Sequence, residues 1–547
     1  MPRVRAKLLA NNQEKGNHGM ILMGIILIAL FIVILAVGSG LSGSKERRKQ
    51  QQEMQSLKYS PAQKPVVLII IDSLMHIPLK EVLDFGKAPA MKYLVENGQY
   101  HPKVVTSFPT MSVSIDTTLL TGATPNEHHI YGLVYFHKKE NRIVNFGTGF
   151  KETFIFGLKT VLQDSLLNLN QKYISQKVKT IHEETDLPTA SINGLIYRGN
   201  YQRTLFPPLL ARWTALLPSR IQTKAPFLFS FGAMSKISKS GKYDSLWRRF
   251  GFNDSFSRKE LASLIKKGNL PAFTIAYFPT NDDAVHREGP SQIKGIEKAD
   301  KELQKVLDAF GSWEEAIRQV TWIVMGDSGQ TPILPNHQAA YIDLRKLLSD
   351  YKIMPIRQKT PRKEDQLVLC VNERMAYIYL TDPDLKMNEV VQALKKEPKL
   401  DLIAWQEKDW IHVISGNVPE ARCRFQKEGP YADEYGQTWK LEGDLSVLDL
   451  KPDESNRIRY GIFPDVLFRL SGVMNTWDRV IIVTASPGYE LTGEGSPTHK
   501  GGSHGSLHYL DSEVPMIICG TNSKPETLRF IDIKDWILQL ISKETNL

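Results

Sequence analysis

Cysteine is scarce in this sequence. The chain has only three cysteines, Cys370, Cys423 and Cys519, and no two of them stand in a CxxC spacing. A metal site built from cysteine thiolates is therefore not expected. A disulfide between two of the three stays open, because sequence alone does not decide cysteine pairing.

The sequence also lacks a dense basic block, an internal repeat and any recognised nucleic-acid module. Lys plus Arg exceed Asp plus Glu by only ten, 69 against 59. Binding to a nucleic-acid duplex is therefore not expected. The mild excess fits either an ordinary solvated surface or a preference for anionic partners such as lipid headgroups, polyphosphates or cell-wall polymers.

One long apolar run is present near the amino terminus. Met20 to Val37 carry no charge, and a helix extended to Leu41 would be about 33 Å long, enough to cross the hydrocarbon layer. A cleavable signal peptide is the alternative, but the run exceeds the usual apolar region of about 7–15 residues. We predict a tail at 1–19 and a single-pass transmembrane anchor at 20–41.

The polar stretch 42–63 lacks apolar periodicity and predicts a tether between the anchor and the rest of the chain. Charge does not orient the anchor, because basic residues flank it on both sides. These are Arg3, Arg5, Lys7 and Lys15 before it, and Lys45, Arg47, Arg48 and Lys49 after it.

Buried-strand patterns alternate with helical ones over the remaining chain, which predicts a doubly wound α/β domain. The run PVVLIII ends at Asp72, as a central parallel strand does when it delivers a polar residue at its carboxyl end. Similar runs are Ala272–Tyr277, Val320–Met325, Val480–Thr484 and Pro515–Cys519. We predict a core over 64–340 with a helix-rich insertion at 151–265, an α+β cap over 341–455, and the second part of the core over 456–547.

Five polar pieces stand at predicted strand ends or in the loops that follow. They are Asp72, SFPTMSVSIDTTLLTG (107–122), DDAVH (282–286), GDSG (326–329) and GGSHGSLH (501–508). Each is weak alone, since a carboxylate after a strand is often only a helix cap. Together they bring three carboxylates and two histidines to one sheet edge, which suits Zn²⁺ or Mn²⁺.

Two of these pieces have informative spacings. Asp282 and His286 are four residues apart, so a helical turn places both side chains on one face. Ser112 stands where a helix opens, and the free backbone N–H groups of a helix start can hold a phosphate charge. A plain helix-capping role for Ser112 or Ser114 is the alternative.

The order of these pieces resembles the alkaline phosphatase superfamily, and within it the type I phosphodiesterase/nucleotide pyrophosphatase family, over about 65–340 and 475–520. The resemblance implies an alkaline-phosphatase-like α/β fold and two bound metal ions, most readily zinc, with manganese as an alternative. It assigns Asp282, His286 and His504 to one metal and Asp72 and Asp327 to the other. Ser112 matches the nucleophile and would also contact the second metal.

Two positions depart from the family pattern. The family's Asp-His pair is here Asp327-Ser328, so one imidazole ligand is missing. His76, His337, His499 or His508 are candidates to replace it. The phosphate-contacting Asn of the family is Ile115 here, followed by Asp116, and its role would pass to backbone N–H groups or to a basic residue such as Arg198.

The leading functional prediction is a membrane-anchored, metal-dependent hydrolase of phosphate esters that works through a phosphoserine outside the cytoplasm. Its substrate would be a nucleotide, a lipid headgroup or a wall polymer. One alternative is a phospho-group transferase acting on lipid or cell-wall polymer. The other is a degenerate, metal-poor binding protein of the same fold, for which Ser328 and Ile115 are the evidence.

Overall fold

The computed structural model describes residues 44–56, 64–239, 243–418, 420–474 and 479–542. The predicted tail at 1–19 and the predicted anchor at 20–41 lie outside the described residues. Within the described ranges, no helix has both the length and the apolar character that a membrane crossing requires.

The described chain alternates strands and helices throughout. The strands are β1 Val66–Ile71, β2 Gly98–Val105, β3 Val134–His137, β4 Arg142–Asn145, β5 Thr189–Ile192, β6 Tyr201–Leu205, β7 Ile221–Ala225, β8 Leu228–Ser230, β9 Phe273–Phe278, β10 Thr321–Met325, β11 Thr331–Pro332, β12 Tyr341–Asp343, β13 Leu367–Asn372, β14 Met375–Leu380, β15 Leu400–Glu407, β16 Trp410–Ile414, β17 Arg422–Asp433, β18 Thr438–Gly443, β19 Leu450–Pro452, β20 Arg457–Tyr460, β21 Val480–Ala485, β22 Glu490–Thr492, β23 Gly502–Ser503 and β24 Glu513–Cys519.

Helices cover both faces of the central sheet and the ends of the strands. They are α1 Ser44–Ser56, α2 His76–Asp84, α3 Pro89–Glu96, α4 Ser112–Thr121, α5 Pro125–His128, α6 Phe150–Phe156, α7 Leu158–Gln163, α8 Ile181–Glu184, α9 Leu209–Trp213, α10 Asp254–Lys266, α11 Thr280–Glu288, α12 Lys294–Leu307, α13 Trp313–Gln319, α14 His337–Ala340, α15 Leu344–Leu347, α16 Met387–Leu394, α17 Val466–Ser471, α18 Tyr509–Ser512 and α19 Phe530–Ser542, with a π-helical segment at Asp164–Tyr173.

A seven-stranded sheet forms the centre, in the order β2-β24-β10-β1-β9-β5-β8. All six residues of β1 are buried, and alternate side chains enter the apolar clusters on the two faces of the sheet. Burial on both faces explains why this strand is one continuous apolar run in the sequence. The predicted α/β core is therefore present, and β1, β9 and β10 lie side by side at its middle.

The direction of one strand differs from the prediction. Strand β24 runs antiparallel to both β10 and β2, so the sheet is mixed and not purely parallel. Its side chains also enter both apolar clusters, Met516 on one face and Ile517 on the other. A run buried on both faces looks the same in either direction, and the sequence pattern could not reveal the reversal.

The second sheet corrects two predicted boundaries. Strands β13 to β21 form a nine-stranded sheet, so the cap does not end at 455 but includes Val480–Ala485, a run that we assigned to the core. The predicted insertion at 151–265 is also not separate from the core, because it supplies two strands of the central sheet, β5 and β8. Both are short, and neither has a long apolar run.

The predicted tether is wrong for residues 44–56. This segment is helix α1, which packs on the core through the buried side chains of Gln50 and Met54. The two are four residues apart and share one face of the helix. Because the buried position 50 is a glutamine and not an apolar residue, the sequence of this segment shows no apolar helical periodicity.

Candidate active site

The carboxyl ends of three neighbouring strands bring the predicted carboxylates to one edge of the central sheet. Asp72 directly follows β1, Asp327 follows β10 by one glycine, and Asp282 lies in α11 after β9. Ser73 connects them: its backbone N–H donates to Asp327 Oδ1 at 3.0 Å and its hydroxyl donates to Asp282 Oδ1 at 2.7 Å. Ser73 has a φ of +55°, a strained backbone value for a serine that this pair of contacts holds in place.

One side of the site contains only oxygen donors. The hydroxyl of Tyr277 donates to Asp72 Oδ2 at 2.6 Å and lies 3.3 Å from Asp327 Oδ2. Burial raises the pKa of Asp327, and the side chain of Ser112, the first residue of α4, lies close enough to oppose that shift. The structure therefore places Asp72, Asp327 and Ser112 together, as the sequence predicts.

Asp116 adds a buried carboxylate that the sequence analysis named without a role. It lies one helical turn after Ser112 on α4, is 2% exposed, and its Oδ1 has no hydrogen-bond partner within the described ranges. Burial raises the pKa of Asp116, and the charge of Asp327 raises it further. The pKa of Asp72 is raised in the same way, by burial and then by Asp327. Buried carboxylates that repel one another are costly unless a cation offsets them.

The other side of the site contains histidines. Asp282 Oδ1 lies 3.3 Å from His286 Nε2, and one donor atom from each of Asp282, His286 and His504 falls within 4.8 Å of the other two. Ligands about 2.1 Å from a tetrahedral zinc ion are about 3.4 Å apart. The spacing and the donor types therefore fit a divalent cation at these three predicted residues.

The backbone sets the orientation of both imidazoles. His286 Nδ1 lies 2.9 Å from the carbonyl oxygen of Gly502, and His504 Nδ1 contacts the carbonyl oxygen of Thr110. A carbonyl only accepts hydrogen bonds, so each Nδ1 carries the hydrogen and each Nε2 has its lone pair free toward the site. Metal-binding histidines commonly have such a second contact.

The sequence did not predict that Glu373 and His499 contact the histidines of the site. Glu373 from the cap lies 3.8 Å from His504 Nε2 and 4.0 Å from His286 Nε2. His499 stacks on His286, with ring centroids 4.1 Å apart. In the sequence, the dipeptide Glu373-Arg374 stands between two apolar strands and indicates a tight hairpin turn. The sequence does not indicate that the tip of this hairpin lies at the site.

None of the described candidates replaces the missing imidazole beside Asp327. His76 contacts the hydroxyl of Tyr100, His508 Nδ1 accepts from the N–H of Leu510, and His499 belongs to the histidine side. The side chain of His337 lies outside what the structure describes. Ser328 is fully buried, and its hydroxyl has no partner in the described part of the chain.

The proposed phosphate-binding role of Arg198 is wrong. Its guanidinium is buried away from the strand ends, where it pairs with Glu183 at 2.9 Å and donates to the carbonyls of Ile174 and Ser175. These contacts saturate the side chain and hold the loop after the π-helical segment. The backbone N–H groups at the start of α4 therefore remain as the predicted replacement for the phosphate-contacting Asn of the family.

Comparisons with known proteins agree with the observed fold. The type I phosphodiesterase/nucleotide pyrophosphatase family matches residues 66–507. Murine ectonucleotide pyrophosphatase/phosphodiesterase 5 is similar in structure, with 14% identity, a TM-score of 0.53, and coverage of 89% of this chain and 96% of that chain. The human protein of the same name has 15% identity, a TM-score of 0.52, and coverage of 88% and 96%.

A bacterial enzyme has the same fold. Phosphonoacetate hydrolase from Sinorhizobium meliloti 1021, in complex with phosphonoacetate, has 13% identity, a TM-score of 0.51, and coverage of 88% of this chain and 96% of that chain. At such identities the structural similarity shows the fold alone. No curated protein matches the chain. The match over 66–507 confirms the family that the sequence motifs indicated.

Proposed function

Since the chain belongs to the type I phosphodiesterase/nucleotide pyrophosphatase family of phosphoester hydrolases, we propose that it cleaves phosphodiesters with Ser112 as the nucleophile and two divalent cations as cofactors. One observation carries the proposal. Ser112 opens a ten-residue helix and lies close enough to Asp327 to lower the pKa of that carboxyl, at the sheet edge where the three carboxylates and two histidines gather.

Two donor sets would hold the cations. Asp282, His286 and His504 offer mixed nitrogen and oxygen donors, which suit zinc. Asp72, Asp327 and Ser112 offer oxygen alone, which zinc accepts but manganese or magnesium prefers. When bound, the cations would polarise the phosphate and lower the pKa of the serine hydroxyl.

The protein groups around Ser112 account for the movement of the proton. The Ser112 hydroxyl can donate its hydrogen to the Asp327 carboxylate as the Oγ–P bond forms and the bond from phosphorus to the leaving oxygen breaks. The leaving alcohol takes up a proton. Water then cleaves the phosphoserine, which restores the Ser112 hydroxyl and releases a phosphate monoester. The unpaired N–H groups at the start of α4 would hold the phosphate oxygens.

A nucleotide ester is the substrate class that the comparisons favour. The murine relative was solved as an inactive variant in complex with AMP. In the present chain, a cavity of about 140 Å³ lies beside the histidine side of the site, lined by Gly147, Thr148 and Asn372 together with Glu373 and His499. A small polar group of the substrate would fit there. Lipid headgroups and wall polymers are the alternative substrates.

Replacement of the nucleophile tests the proposal. We expect Ser112→Ala to lower the cleavage rate of bis-p-nitrophenyl phosphate by about 1,000-fold or more, because no other group can take over the covalent step. Ser114→Ala is the matched control, because the Ser114 hydroxyl lies on the same helix but donates to the carbonyl of Ile130. It should keep cleavage within a few-fold.

The outcomes separate the alternatives. Wild-type cleavage rates in Ser112→Ala would exclude Ser112 as the nucleophile. Two bound metals without hydrolysis of any ester would favour the transferase. At most one bound metal with no activity would favour the binding protein that Ser328 suggests.

A further inference from the structure

The cap inserts one hairpin tip into the histidine side of the site. Strands β13 and β14 are joined by only two residues, Glu373 and Arg374. Glu373 adopts a φ of +57°, as a two-residue hairpin turn with its twist requires. The tip therefore extends from the second sheet toward residues of the core that are up to 137 positions away in sequence.

A buried ion pair fixes the tip. Arg374 is fully buried and pairs with the equally buried Asp511 at 2.6 Å, and its backbone N–H donates to the carbonyl of His504 at 2.9 Å. The guanidinium also donates to the carbonyl of Ala485 at 2.8 Å. A buried pair with this many satisfied donors is costly to break, so the position of Glu373 is set before any ligand binds.

The Glu373 carboxylate faces the free nitrogens of both histidines. Its Oε2 lies 3.8 Å from His504 Nε2 and its Oε1 lies 4.0 Å from His286 Nε2. The two separations come from different carboxylate oxygens, and each exceeds by about 0.5 Å the spacing of about 3.4 Å expected between ligands of one tetrahedral zinc ion. The hydrogen bonds that Glu373 Oε2 accepts from Ser503 and from the N–H of His504 leave Oε1 directed at His286.

We propose that Glu373 is a fourth protein ligand of the cation held by Asp282, His286 and His504, and that this cation joins the cap to the core. The proposal rests on the proposed function, which supplies the other three ligands. Three ligands leave a catalytic zinc open to water or substrate, whereas four protein ligands complete a tetrahedral shell. Substrate would then have to enter as a fifth ligand or displace Glu373.

His499 lies beside this site and forms a second group of possible metal ligands with His286 and Glu373. Its Nδ1 is engaged by Glu490 Oε1 at 2.6 Å, while its ring stacks on His286. Glu490 is fully buried and also accepts from Ser503. His499 is therefore a positioning residue that orients His286 and places positive charge beside Glu373.

Metal content tests the proposal directly. Glu373→Gln keeps an acceptor for Ser503 and for the N–H of His504 but removes the carboxylate. We expect the purified full chain to retain about two zinc ions and this variant to retain about one after dialysis against metal-free buffer, with an affinity for the lost ion at least about 10- to 100-fold weaker. Glu364→Gln, an exposed cap residue, is the control and should retain both ions.

A measurement on the wild-type chain covers the case in which the variant does not fold. Removal of zinc by a chelator should speed amide hydrogen exchange across 371–376, because the hairpin tip loses a ligand bond to the core. Exchange in the buried strand Val66–Ile71 should not change. Unchanged exchange across 371–376 would overturn the proposal.

The results also separate this proposal from the proposed function. Two tightly held ions in Glu373→Gln, together with loss of cleavage in Ser112→Ala, would overturn the role of Glu373 and leave the nucleophile in place. A wild-type chain that binds no divalent cation would overturn both.

Discussion

Glu152 is a buried carboxylate beside the cavity of the candidate site. It lies on α6, is 2% exposed, and accepts a hydrogen bond from Asn145 Nδ2 at 3.1 Å. Burial raises the pKa of Glu152 to about 7 from an ordinary value of 4.5, although the hydrogen bond from Asn145 opposes the shift. The folded chain therefore holds this group protonated over a range in which the unfolded chain ionises it.

This pKa predicts a pH dependence of stability with a definite sign. Below pH 4.5 the group is protonated in both states and imposes no penalty, and as the pH rises from 4.5 to 7 the free energy of unfolding falls. Above pH 7 the loss levels off at about 3 kcal/mol. Glu152→Gln should remove the loss, so its stability relative to wild type should rise between pH 5 and pH 8 in urea unfolding.

An exposed substitution, Glu364→Gln, provides the baseline for that comparison. It should show the same pH profile as the wild type. A constant difference between Glu152→Gln and wild type across the range would mean that Glu152 is ionised in the folded chain as well.

At the residue scale, the sequence pointed to the candidate ligands that follow strands of the central sheet and missed Glu373, the candidate that the cap supplies. Asp72 and Asp327 could be found because each follows an apolar run, and the carboxyl ends of neighbouring parallel strands meet at one edge. Glu373 follows a hairpin strand of the cap, and its position depends on the burial of Arg374 against Asp511. That contact joins residues 137 positions apart, and no local pattern encodes it.

At the scale of single elements, helix α1 covers an open edge of the central sheet. Strand β8 is the last strand in the order, and the side chain of Gln50 pairs with the backbone of its middle residue. The N–H of Phe229 donates to Gln50 Oε1 at 2.8 Å, and Gln50 Nε2 donates to the carbonyl of Phe229 at 3.1 Å. The amide satisfies the two groups that an edge strand otherwise exposes.

The contact predicts a measurable role for Gln50. Gln50→Ala would leave the N–H of Phe229 buried without a partner, while its carbonyl would keep only the hydroxyl of Ser235, and this loss should lower the free energy of unfolding by about 1–3 kcal/mol. Gln52→Ala, on the exposed face of the same helix, should change it by less than about 0.5 kcal/mol. Equal effects of the two substitutions in chemical denaturation would show that Gln50 does not support the edge.

Elements with a single periodic pattern were predicted well, and those that depend on a distant partner were not. The cap, predicted as α+β, contains helix α16 at Met387–Leu394. The runs at β1, β9 and β10 are strands of the central sheet. Val480–Ala485 is also a buried strand, but it pairs with β14 and β15 of the cap, and an apolar run carries no information about which sheet it joins.

At the scale of the whole molecule, the cap and the core are not independent bodies. One apolar cluster contains Leu68 and Ile70 of the central sheet together with Tyr377 and Ile482 of the second sheet. The buried pair of Arg374 and Asp511 crosses the same boundary. The sequence predicted two modules in the correct order, but it could not show that they share a core.

We propose that residues 20–41 anchor the folded cap and core in a membrane, with the catalytic domain outside the cytoplasm. Helix α1 begins at Ser44, so only residues 42 and 43 separate it from the predicted anchor, a span of at most about 7 Å. A chain anchored there would hold its folded body close to the bilayer, without the long tether that the sequence suggested. Protease added outside intact cells should then reach the catalytic domain.

A salt wash distinguishes a transmembrane anchor from adsorption of the chain to the membrane through its surface charge. The chain carries a formal net charge of +10, and such a surface can bind anionic lipid by attraction that 1 M salt screens within about 3 Å. The full chain should therefore stay in the membrane pellet after a 1 M salt wash, while a chain without residues 1–41 should appear in the supernatant. Release of the full chain by salt would show that surface charge holds it to the membrane, and it would remove the main reason for placing catalysis outside the cytoplasm.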